Sequence, residues 1–145
     1  MKGTLMLSWI LIICLSQPPK VTNLHFFMHE HTVPFASLVA VNDPLRTGPE
    51  PDSEVIGNVQ GIALLAGMNA SSTQYIDFGF NTEFGFSTGK FNGSSLSIFS
   101  RGEPGLAVVG GRGRFMMAKG IALFNPILIN ATNVIMEFKV TVIHY

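Results

Sequence analysis

The C-terminal segment carries the plainest pattern in the chain. Val134, Met136, Phe138, Val140 and Val142 alternate with Ile135, Glu137, Lys139 and Thr141. A two-residue period puts apolar groups on one face and a mixed set on the other, as in a half-buried strand. Farther upstream, Phe78, Phe80, Phe84 and Phe86 share one parity and Asp77, Gly79, Asn81, Glu83 and Gly85 the other. Aromatics opposite small or acidic groups suit a curved sheet, in which glycine relieves crowding. The same reading predicts strands over 25–31, 35–42, 55–65, 75–86, 94–99, 114–123 and 133–145, with turn-forming residues between them. Phe91-Asn92-Gly93-Ser94 is the strongest hairpin signal, because Asn-Gly accepts the positive φ angles of a tight two-residue turn. The strand ending at Phe86 is therefore expected to pair antiparallel with the one starting at Ser94. The polar, proline-rich stretch 44–52 is expected as a surface loop. No internal repeat is evident in the sequence, and helical periodicity is almost absent. The pattern predicts an all-β domain, a barrel or a sandwich of antiparallel strands.

Composition agrees. The chain has 145 residues, a single domain's worth, with 15 Gly and 12 Phe. It is poor in helix formers, which excludes a helical bundle. Nine Lys and Arg offset nine Asp and Glu. The cations are scattered, so nothing offers the continuous positive face that nucleic-acid phosphates require. No nucleic-acid partner is expected.

Residues 1–16 read as a secretory signal peptide. Met1-Lys2 gives a positive start, Leu5 to Leu15 an apolar stretch, and Cys14-Leu15-Ser16 small residues before a cut ahead of Gln17. The apolar run falls short of the roughly 20 residues that cross a bilayer, so no membrane anchor is expected. The mature domain is then 17–145. Cleavage removes Cys14, the sole cysteine, leaving neither a disulfide nor thiolate chemistry. Asn69-Ala70-Ser71, Asn92-Gly93-Ser94 and Asn130-Ala131-Thr132 are acceptor tripeptides for N-glycosylation, expected in the surface loops of a secreted protein.

Several segments in order carry a family resemblance. They are Leu24-His25-Phe26-Phe27-Met28-His29-Glu30, Val41-Asn42-Asp43-Pro44-Leu45 with Gly48-Pro49-Glu50, and Ile56-Gly57-Asn58-Val59-Gln60-Gly61. Next come Phe91-Asn92-Gly93-Ser94-Ser95-Leu96-Ser97, the run from Val108-Val109-Gly110-Gly111 to Ala118-Lys119-Gly120, and the terminal His144-Tyr145. Together they resemble the plant dirigent proteins over nearly all of the mature chain. The resemblance implies an eight-stranded antiparallel barrel like that of allene oxide cyclase, secretion to the apoplast, assembly as a homo-oligomer (dimer or trimer), and no cofactor. It also implies a role: a separate laccase or oxidase makes phenoxy radicals from coniferyl alcohol-type phenols, and the barrel orients two of them so that one lignan enantiomer, such as pinoresinol, forms. Some relatives instead close rings on quinone methides. Flat neutral phenols call for an aromatic-lined cavity with a few polar groups. A tenfold preference between two geometries needs only about 1.4 kcal/mol. Between His31 and Phe35 the chain lacks a segment that relatives carry, which puts one strand and the closure of the barrel in question.

The resemblance also nominates site residues. The acid of the family's His-Asp pair aligns with Glu30, a general-acid candidate whose pKa burial would raise. The arginine of the Met-Ala-Arg-Gly motif aligns with Lys119, which keeps the charge but loses the bidentate fork. By strand parity Lys119 is expected to share a cavity wall with Phe115 and Met117, and Asp77 is a further pocket candidate. The bland alternatives are a solvated strand-edge Glu30 and an ordinary surface Lys119. His25, His29 and His31 share strand parity and superficially resemble imidazole metal ligands, but with no fourth ligand in reach of the pattern no metal site is expected. Gly110 to Arg114 lacks the Gly-Lys-Ser/Thr ending of a phosphate loop and is expected as a glycine-rich turn before a strand. Asp77 and Glu83 as a hydrolase carboxylate pair lack any supporting feature. No nucleophile elbow is present.

Overall fold

The computed structural model describes residues 18–31, 38–66, 77–101, 105–129 and 133–145. The predicted signal peptide 1–16 and the acceptor sites at Asn69 and Asn130 lie outside them. Eight strands, β1 (Lys20–His31), β2 (Leu38–Arg46), β3 (Val55–Ala66), β4 (Asp77–Phe86), β5 (Ser95–Arg101), β6 (Leu106–Arg112), β7 (Lys119–Ile129) and β8 (Asn133–His144), follow one another around a closed antiparallel barrel. No helix among the described residues is long and apolar enough to cross a membrane.

The eight-stranded barrel that the resemblance implies is present, and it closes with all eight strands. The β1–β8 ladder runs the whole length of both strands, from Lys20↔His144 to His31↔Asn133. The β1–β2 seam is thin, with Phe27↔Arg46 and Met28↔Leu45 as its register pairs. Closure there rests mainly on side chains from both strands meeting inside, since few backbone hydrogen bonds cross it.

Four elements differ from the sequence-based expectation, the first being β1, which starts at Lys20 rather than 25. Strand β6 was read as part of a glycine-rich turn, because Gly110 and Gly111 dilute its two inward apolar residues, Leu106 and Val108. Strand β2 continues through Pro44 to Arg46, where a loop was expected; Pro44 pairs with Asn58 of β3. Strand β7 starts at Lys119 rather than 114 and passes Pro126, where the register against β8 shifts. A proline is tolerated at such an irregularity, where no ladder N–H is required. The predicted antiparallel pairing of β4 with β5 is present.

The interior is filled by aromatic rings at the end where β1 starts. Phe26, Phe84 and Phe138 are essentially inaccessible and meet pairwise at centroid distances of 5.1–5.7 Å. Phe86, Phe91 and Phe115 continue the stack outward, with Phe91 and Phe115 4.7 Å apart. An eight-stranded barrel is just wide enough for its own side chains to fill, and phenylalanines on alternate positions of β1, β4 and β8 do so here. Where strands cross closely only glycine fits. A Cβ at Gly57 would lie 1.9 Å from the Gly85 carbonyl oxygen, and one at Gly120 2.0 Å from that of Thr141.

Candidate functional site

Polar groups enter the barrel interior toward the opposite end. On β1 the inward parity runs Phe26, Met28, Glu30; the first two are buried and Glu30 partly so. On β2 it runs Val41, Asp43, Leu45, all buried. Continuing the Met28↔Leu45 register by two residues brings Glu30 opposite Asp43. Burial, reinforced by the negative charge of Asp43, holds the Glu30 carboxyl above the usual carboxylate range. A carboxyl whose neutral form is favoured, set beside a second carboxyl, is a pairing that can serve as acid and base.

Thr82 joins this region from β4. It shares inward parity with Phe84 and Phe86 and is 4% exposed. Its register neighbour Gly61 pairs in turn with Val41, one inward step from Asp43. The Thr82 hydroxyl has no hydrogen-bond partner among the described residues. A buried hydroxyl left unpaired costs about 1–3 kcal/mol, which a bound water or another hydrogen-bonding group would offset.

The other nominated residues are not brought to Glu30. Glu30 pairs with Val134 and Lys119 with Ile143, nine residues farther along β8; at 3.3 Å per residue that is about 30 Å. Lys119 is exposed, on the outward parity of Ile121 and Leu123, while Ala118 and Ala122 face in. Phe115 belongs to a 3-10 turn, Gly113–Phe115, and is fully buried as a plug in the aromatic stack. Met117 is half exposed in the following turn with φ +58°. The common wall expected for Phe115, Met117 and Lys119 does not form, because alternation holds only within a strand and the strand starts at Lys119. The side chain of Asp77 lies outside the description. Glu83 faces outward and pairs with Arg112, which lowers its pKa.

His25 Nε2 donates to Glu137 Oε1 at 2.8 Å, and His29 Nε2 donates to the Gly48 carbonyl at 3.0 Å. These two imidazoles therefore serve separate protein partners; the His31 side chain lies outside the description. Asn92 is exposed in its turn, accessible as an acceptor. Asp43 and Thr82 were not singled out from the sequence. Extending the alternation Val41, Asp43, Leu45 through Pro44 is the signal for Asp43. Thr82 interrupts the Phe80–Phe84 parity with a residue that gives no chemical cue by itself.

The model of the family described as dirigent-like protein matches residues 19–143. Dirigent protein 15 of Arabidopsis thaliana is 34% identical, with 87% of this chain and 81% of the relative aligned. Pterocarpan synthase 1 of Glycyrrhiza echinata is 33% identical over 89% of this chain and 81% of its own length. Among solved structures, the pterocarpan synthase dirigent protein GePTS1 superposes with a TM-score of 0.73 at 34% identity, covering 88% of this chain and 89% of that one.

Proposed function

This chain belongs to the dirigent-like protein family, and on that premise we propose that it closes a ring stereoselectively on a quinone methide held inside the barrel, with Glu30 as the proton donor. The observation that carries the reading is Glu30 on the inward parity beside Asp43, partly buried, with its pKa raised by burial and by the Asp43 charge. The likeness to pterocarpan synthase 1 supports it.

The chemistry balances without a cofactor. A hydroxyl of the substrate adds to the exocyclic methide carbon, forming one C–O bond. Glu30 donates its proton to the quinone carbonyl oxygen, which becomes a phenol, and Asp43 accepts the proton of the attacking hydroxyl. Proton return from Asp43 to Glu30 resets the pair. General acid–base assistance of this kind contributes about 10²- to 10⁴-fold. Stereocontrol comes from the walls, because a flat substrate between Phe and Met side chains presents a single face. Thr82 offers its unpaired hydroxyl to a phenol oxygen.

Coupling of phenoxy radicals from a coniferyl alcohol-type phenol is the second reading. It is supported by the family match over residues 19–143, and it needs a separate laccase or oxidase. Either reading places the protein in the apoplast after removal of residues 1–16, glycosylated at accessible Asn92. Exposed Val109, Ile121 and Leu123 on the outer face support a homo-oligomer.

Chiral chromatography of products decides between them. A quinone methide precursor bearing a pendant hydroxyl, incubated with the protein alone, is expected to give one enantiomer, and Glu30→Gln to abolish the excess. Enantiomeric excess from coniferyl alcohol only when laccase is added would establish coupling instead. Racemic product from both would remove the interior acids from any directing role.

A further inference from the structure

The hairpin end of the barrel, remote from Glu30, contains a repeat that the sequence pattern hides. The β4–β5 connection reads Gly89-Lys90-Phe91-Asn92-Gly93-Ser94, and the β6–β7 connection Gly113-Arg114-Phe115-Met116-Met117-Ala118. Each opens with a glycine at positive φ, +64° and +65°. Each makes a one-turn 3-10 helix and then a type II turn, with Asn92 at φ −50°, ψ 131° and Met116 at φ −56°, ψ 134°. Each turn is closed by the same hydrogen bond, Ser94 N–H to the Phe91 carbonyl at 2.9 Å and Ala118 N–H to the Phe115 carbonyl at 3.0 Å. The two phenylalanines stack on each other at 4.7 Å and 29°. Matching turns locked through matching rings set the residue before each ring, Lys90 and Arg114, at one place.

That place is a cleft of about 250 Å³. Lys90 and Arg114 line it from the two turns, Lys20 from the start of β1, and His144 and Tyr145 from the end of β8. No acidic side chain lines it. None of Lys20, Lys90 and Arg114 takes part in an ion pair among the described residues, although exposed pairs do form elsewhere, as with Arg112 and Glu83. His144 is 94% buried at the floor, given its 6% exposure. It is held 2.9 Å from the Thr22 hydroxyl, and its Nδ1 has no partner among the described residues. Cations outside any ion pair among the described residues, Lys90 with its ammonium 5.0 Å from the Phe91 ring centroid, gathered over a concave, partly apolar floor focus positive potential, and an Arg–Lys combination matches oxyanions in geometry and charge.

We infer that this cleft is an oxyanion-binding site, built for a ligand carrying two or more clustered carboxylate or phosphate groups and separate from the phenol-binding interior. The ligand source is either a free small polyanion or the acidic units of an oligosaccharide.

Isothermal titration of the full chain with citrate, with inorganic phosphate and with trigalacturonate tests the site. Saturable 1:1 binding of at least one probe is expected, weakening as salt is raised, with the neutral trisaccharide maltotriose silent. Tighter binding of citrate or phosphate identifies a free polyanion; tighter binding of trigalacturonate identifies an acidic glycan. The double variant Lys90→Gln/Arg114→Gln is expected to lose at least tenfold in affinity and Lys20→Gln about threefold. Lys139→Gln, an exposed cation outside the cleft, is expected to leave affinity unchanged. All the substituted groups are exposed, and an unchanged melting temperature verifies the fold. Absence of binding by every probe, or equal affinity in the double variant and in Lys139→Gln, would overturn the inference.

Discussion

At one end of the barrel, where β1 finishes and β8 begins, acidic groups point inward between apolar walls. At the other, where β1 begins and β8 finishes, cations stand on two hairpin turns and point at solvent. The interior Glu30 is partly desolvated, and burial with the Asp43 charge favours its neutral form. Lys20, Lys90 and Arg114 are exposed; water preserves their charge, and they act only by convergence. Between the two lies the plug of Phe26, Phe84 and Phe138, which separates the interior acids from the rim cations. The contrast teaches that burial tunes the proton affinity of a carboxyl inside this barrel, while turn geometry gathers charge at its rim.

Removing the plug breaks the comparison most severely. Phe138→Ala is expected to cost about 3–5 kcal/mol, read as a lower midpoint in urea denaturation. A cost under about 1 kcal/mol would mean that the two ends are not separated by a packed core.

Glu30→Gln sharpens the contrast next. Product formation from a quinone methide is expected to fall at least about 100-fold, while thermal stability at pH 7 rises. The folded state holds the Glu30 proton more tightly than the unfolded chain. Its stabilising effect is therefore full below the unfolded carboxyl pKa and is lost as pH rises through the raised folded value. A melting temperature followed from pH 4 to pH 8 is expected to decline less in the variant than in the parent. An identical decline would place Glu30 in water.

The paired turns give a smaller and opposite pair of effects. Gly93, at φ +77°, and Met117, at φ +58°, occupy the same step of the two repeats. Gly93→Ala is expected to destabilise by about 1 kcal/mol and Met117→Gly to stabilise by up to about 1 kcal/mol, both by chemical denaturation. The same sign for both would deny the equivalence of the turns.

The smallest effect belongs to the outer wall. Arg112 is 76% exposed in its pair with Glu83, and Glu83→Gln is expected to change stability by less than about 1 kcal/mol. That contribution exists at neutral pH and fades as acid protonates Glu83 through its lowered pKa. A larger loss at neutral pH would show the pair to be shielded from water.

Much of the barrel was legible along the chain. Strand β8 announces itself by alternation, and Phe84 and Phe86 of β4 do face the core as their parity predicts. Period-two patterns arise because each strand has a wet and a dry side, and that property is written locally. Strand β6 was not legible, since a barrel needs its backbone to bridge β5 and β7 more than it needs apolar side chains there, and Gly111 sits where a Cβ would lie 2.6 Å from the Phe115 and Ser95 carbonyl oxygens.

By itself, the sequence determined the all-β class, the β4–β5 pairing and Glu30 as a candidate acid, because propensity, parity and family motifs are properties of neighbouring residues. The tertiary structure alone decided that eight strands close, that Asp43 stands beside Glu30 while Lys119 lies about 30 Å away along β8, and that Lys90 and Arg114 converge. Those are relations between segments far apart in the chain, and they follow from register and closure, which no single segment encodes.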